Sequence, residues 1–221
     1  MDKQHRYSEL VLDRKACRLC RELTNPSQCR GGTFDRGEHI GPWTRWQGNL
    51  NAHLMLVGQD WGGEDHYIRH RGVGDNKNAT NKRICALLDS ISLQVKLPNE
   101  AGPNSLFFTN AILCLRSRGL SGPTEQAWFH NCDTFLRQQI ELVSPKVVAT
   151  LGFKAYAAVM RTFDRFPKSR MQDAVTEVTG LPNGSSLVPL YHPGTLGTIS
   201  RTFEQQKLDW LRVRKVLDRM S

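Results

Sequence analysis

The chain has 221 residues, 39% of them apolar, and a formal net charge of +9 from 30 Lys and Arg against 21 Asp and Glu. That length and apolar share suit one α/β domain with a single sizeable core. No apolar run reaches the roughly 18 residues of a membrane span and the polar stretch 1–15 lacks the apolar centre of a secretion signal, so the cytoplasm is the expected location and no membrane partner is expected.

The positive excess suits a polyanion partner, because each neutralised phosphate releases counterions; it also suits an ordinary soluble surface. Residues 1–50 are polar and rich in Gly, Arg and Cys, with Arg30-Gly31-Gly32 and Gly41-Pro42 reading as loops. Regular structure is expected from about Ala52. Four short runs rich in β-branched or aromatic residues, 53–59, 105–113, 145–151 and 186–191, read as strands buried on both faces. Helical patterns lie between them. Thr80 would cap a helix carrying Ile84, Leu87, Leu88 and Ile91. Thr124 and Glu125 open another, through Trp128, Phe135, Leu136 and Ile140 to Val143; 153–163 and 203–217 supply two more. Between them, 164–184 is expected to hold a short extra strand near 174–178 and a turn at Pro182-Asn183-Gly184. Strands alternating with helices predict a parallel sheet with right-handed crossovers.

Ligands of such sheets bind outside the carboxyl ends of the strands. Those ends carry Gln59-Asp60, Asn110, Leu151-Gly152 and Tyr191-His192-Pro193-Gly194, so a carboxylate, two amides and an imidazole are expected on one rim. Asp60 alone would read as a helix cap. Beside Gln59 and before Gly62-Gly63 it reads as a ligand-facing acid. Asn110 lies in an apolar run and needs partners; its amide offers the paired donor and acceptor that a pyrimidine's polar edge requires. His192 is either a structural histidine or a proton or hydrogen-bond donor.

Six cysteines without a secretion signal read as free thiols or metal ligands rather than disulfides. Cys17 and Cys20 form a C-x2-C pair, Cys114 follows the Asn110 strand, and Cys132 lies on the next helix. Four such thiols suit an iron–sulfur cluster or a zinc ion, and spacing does not choose between them.

Taken together, these residues resemble the uracil-DNA glycosylase superfamily. Gly58-Gln59-Asp60 resembles the water-activating GQDPY motif of its first family, and His192-Pro193 the HPS motif. Asn110 in TNAILC matches the asparagine that reads the base. The stretch 109–152 is similar to the iron–sulfur members, often called family four. The resemblance implies one domain, 1–221, with a Cys-containing segment 1–50 packed on a core 51–221. The implied core is a three-layer α/β/α with a central, mostly parallel four-stranded sheet. It implies a monofunctional enzyme of DNA repair, acting as a monomer on DNA whose target pyrimidine, uracil first, is flipped out of the helix.

The implied roles follow residue by residue. Asp60 would stabilise the sugar cation and orient water, while His192 and the backbone at Gln59 would bond the base O2. Asn110 would read the O4 and N3 edge. Gly62, Gly63 and Gly194 would lie against DNA, and Leu196 would wedge into the vacated stack. Cys17, Cys20, Cys114 and Cys132 would hold a [4Fe–4S] cluster, or zinc in the same site, with Cys29 and Cys85 outside the pattern. Three departures stand out: Trp61 replaces a proline, Gly62 the tyrosine that excludes the thymine methyl, and Gly194 a serine. The aromatic that stacks on the base has no counterpart in the motifs, leaving Tyr67 and Trp61 as candidates. The missing tyrosine opens a second reading, excision of a 5-substituted pyrimidine such as a hypermodified cytosine of phage DNA, in antiviral defence. A third is a catalytically silent nucleic-acid-binding module.

Overall fold

Tyr7, Leu10, Val11 and Arg14 recur at helical spacing and are all buried, forming the inner face of helix α1 (Lys3–Ala16). The computed structural model describes residues 2–117 and 122–219. Within it, α1 corrects the expectation that regular structure begins near Ala52. Its pattern is masked because the fourth inward position is a charge. Arg14 is 1% exposed. Its guanidinium holds the Asp35 carboxylate through two bonds of 2.7 and 2.9 Å and donates to the His39 carbonyl at 2.9 Å. A buried charge needs such partners.

The elements that follow are β1 (Leu23–Thr24), α2 (Pro42–Trp46), β2 (Leu54–Gly58), α3 (Glu64–Arg69), α4 (Ala79–Asp89), β3 (Phe107–Asn110), β4 (Leu115–Arg116), α5 (Gln126–Val143) and β5 (Val147–Leu151). Then come α6 (Phe153–Thr162), α7 (Met171–Ala174), β6 (Thr179–Gly180), β7 (Ser186–Leu190), α8 (Thr195–Ser200) and α9 (Phe203–Arg219). The main sheet runs β3-β2-β5-β7-β6; the first four strands are parallel and β6 is antiparallel to β7. The expected four-stranded sheet therefore carries a fifth, edge strand. It lies at Thr179–Gly180 rather than 174–178, because α7 runs to Ala174 and a turn follows at 175–176. Helix α4 is capped by Asn78, whose side chain accepts the Thr80 N–H at 2.8 Å, and not by Thr80 itself.

The three layers follow from strand alternation. Met55 and Val57 of β2 face one core, with Tyr7, Leu136 and Val159 from α1, α5 and α6. Leu54 and Leu56 face the other, with Ile84, Leu87 and Trp210 from α4 and α9. Each fully buried side chain of this size contributes roughly 1.5–3 kcal/mol. Among the described residues no helix is long and apolar enough to cross a membrane.

Two features place the site. The chain passes from β2 outward to β3, then returns across β2 to β5, so strand order reverses between β2 and β5. Such a reversal opens a crevice at the carboxyl edge. Beside it, β1 pairs antiparallel with β4, Leu23 opposite Arg116, and so ties the cysteine-bearing segment to the rim.

Candidate active site

The four parallel strands end together. Gly58 stands opposite Asn110, and Leu151 opposite Leu190. Beyond these ends lies a cleft of about 540 Å³. Gln59, Asp60, Trp61, Asn110, His192 and Leu196 all line it, as the sequence predicts. Gly58 lets the edge close up: a Cβ there would collide with the Asn110 side chain.

Asp60 is held from two sides. Its Oδ1 accepts from Arg116 Nη2 at 3.3 Å and its Oδ2 from Gln59 Nε2 at 2.6 Å. The carboxylate is 3% exposed. Arg116 also donates to the Gly122 carbonyl at 2.8 Å, which fixes the guanidinium. Arg116 was not anticipated as a site residue; its signal, a charge just after the Asn110 run, is weak in sequence.

His192 follows the end of β7; the residue is exposed at the rim, with its ring set between the cleft walls. Its Nδ1 accepts the Gly194 N–H at 2.9 Å. The neutral ring therefore carries its proton on Nε2, as a donor. Removal of the ring from bulk water lowers its pKa, and the Asp60 charge opposes that shift. Gly194 is required beneath the ring, since a Cβ would lie 2.7 Å from Nδ1. This is a physical reason for glycine where the resembling motif has serine.

Asn110 is 5% exposed. Turned so that its oxygen faces the indole N–H, the amide accepts from Trp43 Nε1 at 3.1 Å and its nitrogen donates to the Thr109 carbonyl at 3.3 Å, whereas the opposite sense sets donor against donor. Trp43, from α2, lines the same cleft and stacks on Phe108, centroids 4.5 Å apart and planes 9° apart. Trp61 meets Trp43 edge-on at 4.8 Å. Trp43 is thus an aromatic wall that sequence reasoning missed.

Other expected residues sit elsewhere. Tyr67 does not reach the cleft; it is 1% exposed and packs edge-on against Phe34. Its helix neighbour His66 lines the cleft instead. Burial and the adjacent His70 lower the His66 pKa. Gly62 and Gly63 are buried in the turn before α3 and do not line the cleft; Gly62, at φ 110°, gives its carbonyl to the Arg116 N–H at 2.8 Å. Gly194 is likewise buried, while Leu196 projects from α8 at the mouth, 82% exposed.

Four of the cysteines neighbour one another beside the β1–β4 pair. Cys17, Cys20 and Cys114 line a cavity of about 270 Å³. Cys132 adjoins them: burial pushes its thiol up to about 12, and Cys114, Cys20 and Cys17 add to the rise. Burial also pushes Cys114 up to about 12, with Cys20 and Cys17 again contributing. Such thiols favour the neutral form until a cation takes their charge. Among the described residues no three His, Cys, Asp or Glu side chains stand close enough to grip a single metal ion. Cys29 packs instead with Trp61, Tyr67 and Leu115, and Cys85 lies apart near Lys96.

A buried carboxylate, an imidazole donor and an amide meet at the carboxyl edge of a parallel sheet, where α/β enzymes bind their ligands. A family model described as the uracil DNA glycosylase superfamily matches residues 46–213. The chain is 25% identical over 163 residues to the type-5 uracil-DNA glycosylase of Pyrobaculum aerophilum, covering 72% of this chain and 67% of that one. It is 23% identical over 155 residues to the type-4 uracil-DNA glycosylase of Thermotoga maritima, covering 68% and 69%. The family match spans well over half of the chain, which therefore belongs to the uracil DNA glycosylase superfamily and is a DNA glycosylase.

Proposed function

We propose that the chain hydrolyses the N-glycosidic bond of a pyrimidine flipped out of DNA, with uracil the principal substrate. The observation that carries this reading is the convergence of Asp60, Asn110 and His192 in one 540 Å³ cleft. The C1′–N1 bond breaks with its electron pair leaving on the base, and the sugar passes through an oxocarbenium-like state. Asp60 faces that positive charge and orients the water whose oxygen bonds C1′, and the proton which that water sheds neutralises the departing base anion. His192 Nε2–H meets the charge growing on the base O2. Asn110 reads the base edge. Leu196, exposed at the mouth, fills the gap left in the duplex. A monomer acting on DNA within the cytoplasm fits this reading.

Cys17, Cys20, Cys114 and Cys132 would hold a [4Fe–4S] cluster; zinc, the rival occupant of the same thiols, would need them closer together than they stand here. Four thiols drawn from the end of α1, the β3–β4 turn and α5 fit a group that clamps the N-terminal segment to the core. When bound, the cluster would supply covalent cross-linking rather than a step of hydrolysis. Absorbance near 400 nm with iron and sulfide in anaerobically purified protein is the expected result; stoichiometric zinc without colour would refute the cluster.

The deciding experiment is abasic-site formation on oligonucleotides carrying uracil, thymine or bulky 5-modified cytosines. Release of uracil, slowed by roughly 10²-fold or more in Asp60→Asn and His192→Ala with DNA binding kept, is expected. No base release from any of these substrates by the wild type, with DNA binding kept, would leave only the nucleic-acid-binding module. The absence of a tyrosine at Gly62 and a cleft within the range of drug-sized pockets favour a second reading, excision of a 5-substituted pyrimidine in antiviral defence. Preference for the modified cytosines in the same panel would establish it.

A further inference from the structure

An indole N–H can only donate. The Asn110 atom that faces Trp43 Nε1 at 3.1 Å is therefore the amide oxygen, which leaves the nitrogen toward the Thr109 carbonyl at 3.3 Å. The opposite sense would set N–H against N–H. Trp43 is itself held. Its ring lies flat on Phe108. Just after α2, the Gln47 carbonyl accepts the Phe108 N–H at 2.8 Å, and the Gln47 side chain accepts the Ser105 N–H at 2.9 Å. The donor thus rides on a segment bonded along β3, the strand that carries Asn110.

Pyrimidine edges come in two patterns. Uracil offers a donor at N3 and an acceptor at O4; cytosine offers an acceptor at N3 and a donor at N4. One amide can match either, but only by turning over. We propose that Trp43 is a specificity-determining positioning residue: its indole N–H locks the Asn110 amide in one sense, and so selects a uracil-type edge over a cytosine-type edge. The second lone pair of the Asn110 oxygen remains for N3–H, and the second amide hydrogen for O4. This inference rests on the reading of the cleft as a pyrimidine pocket.

Duplexes carrying 2′-fluoro-deoxyuridine or 2′-fluoro-deoxycytidine test it, because the fluorine suppresses formation of the sugar cation and leaves binding to be measured. The wild type is expected to bind the uridine duplex more tightly. Trp43→Phe keeps the stack on Phe108 and loses the donor; it is expected to shrink the uridine-to-cytidine Kd ratio about fivefold, the size of one neutral hydrogen bond. Trp43→His, which retains a ring N–H, is expected to recover part of that ratio. Circular dichroism and thermal melting identify folded variants; Trp43→Leu carries the same comparison if the Phe variant does not fold. A wild-type ratio near one, or an unchanged ratio without the donor, overturns the inference. Failure of the wild type to release uracil from an ordinary duplex overturns the underlying reading instead, so the two failures are told apart.

Discussion

The cleft and the N-terminal cysteine segment share a border at β1 and β4 but are built on different physics. The cleft grows out of a sheet whose strands are buried at nearly every position, so its side chains are fixed by apolar packing beneath them. The cysteine segment has little apolar material of its own. Beyond the inner face of α1 it depends on polar ties: Arg14 to Asp35, the Asn25 amide to the Arg14 and Cys17 carbonyls, and Ser27 to the Lys15 carbonyl. Chemistry therefore sits on the rigid part, and the adjoining segment is held by a few bonds whose loss is not shared out.

The largest effect should come from breaking that second region. Arg14→Ala leaves the Asp35 carboxylate, 9% exposed, without its cation. Removing one partner of a buried pair costs about 3–5 kcal/mol. Urea unfolding should show a loss of that size, while uracil release per folded molecule stays within about twofold of the wild type. A loss under about 1 kcal/mol would mean that the segment is anchored by something else. Next comes Asp60→Asn in the cleft. It should lower the single-turnover rate by roughly 10²–10³, the usual scale for removing one preorganised electrostatic group, while iron and thiol content stay unchanged. A coupled loss of both would erase the distinction between the two regions.

A smaller effect is expected at the mouth. Leu196 is 82% exposed, so Leu196→Ala should leave the melting temperature unchanged. It should slow release from duplex DNA by about tenfold, since a wedge offsets a few kcal/mol of unstacking. Single-stranded substrate should be affected less. Equal slowing on both substrates would remove the wedge role.

The same division decides what could be read from sequence. The four parallel strands and the rim residues Gln59, Asp60, Asn110 and His192 were legible because buried strands announce themselves by composition and their ends are where polar residues resume. Helix α1 was not, because Arg14 interrupts its apolar face. Trp43 was not, because it comes from a five-residue helix inside a stretch rich in loop signals. Tyr67 was misplaced for a geometric reason: successive helical residues point about 100° apart. Nearness to the Gln59-Asp60 motif in sequence therefore says nothing about which of His66 and Tyr67 turns to the cleft. The fifth strand was displaced because α7 continues to Ala174, and two residues at Thr179–Gly180 are too short to show a period.

The smallest effect, a change of pH profile, sharpens the comparison because it reads only the cleft. His192 must be neutral to keep its Gly194 bond, since protonation places a hydrogen on Nδ1 against the Gly194 N–H; Nε2 donates in either state. Its pKa is lowered by desolvation, with Asp60 pulling the other way. A lowered pKa means that the neutral ring persists as pH falls. The acid limb of the rate profile should therefore break below the ordinary histidine value of about 6.5, and Asp60→Asn, which removes the opposing charge, should move that break lower still. Gly194→Ala should instead raise it or abolish activity, because the added Cβ displaces the ring from the N–H that holds it neutral. An acid limb above 6.5, unmoved by Asp60→Asn, would mean that His192 is not the group being titrated and that the electrostatic pairing across the cleft is not what governs the reaction.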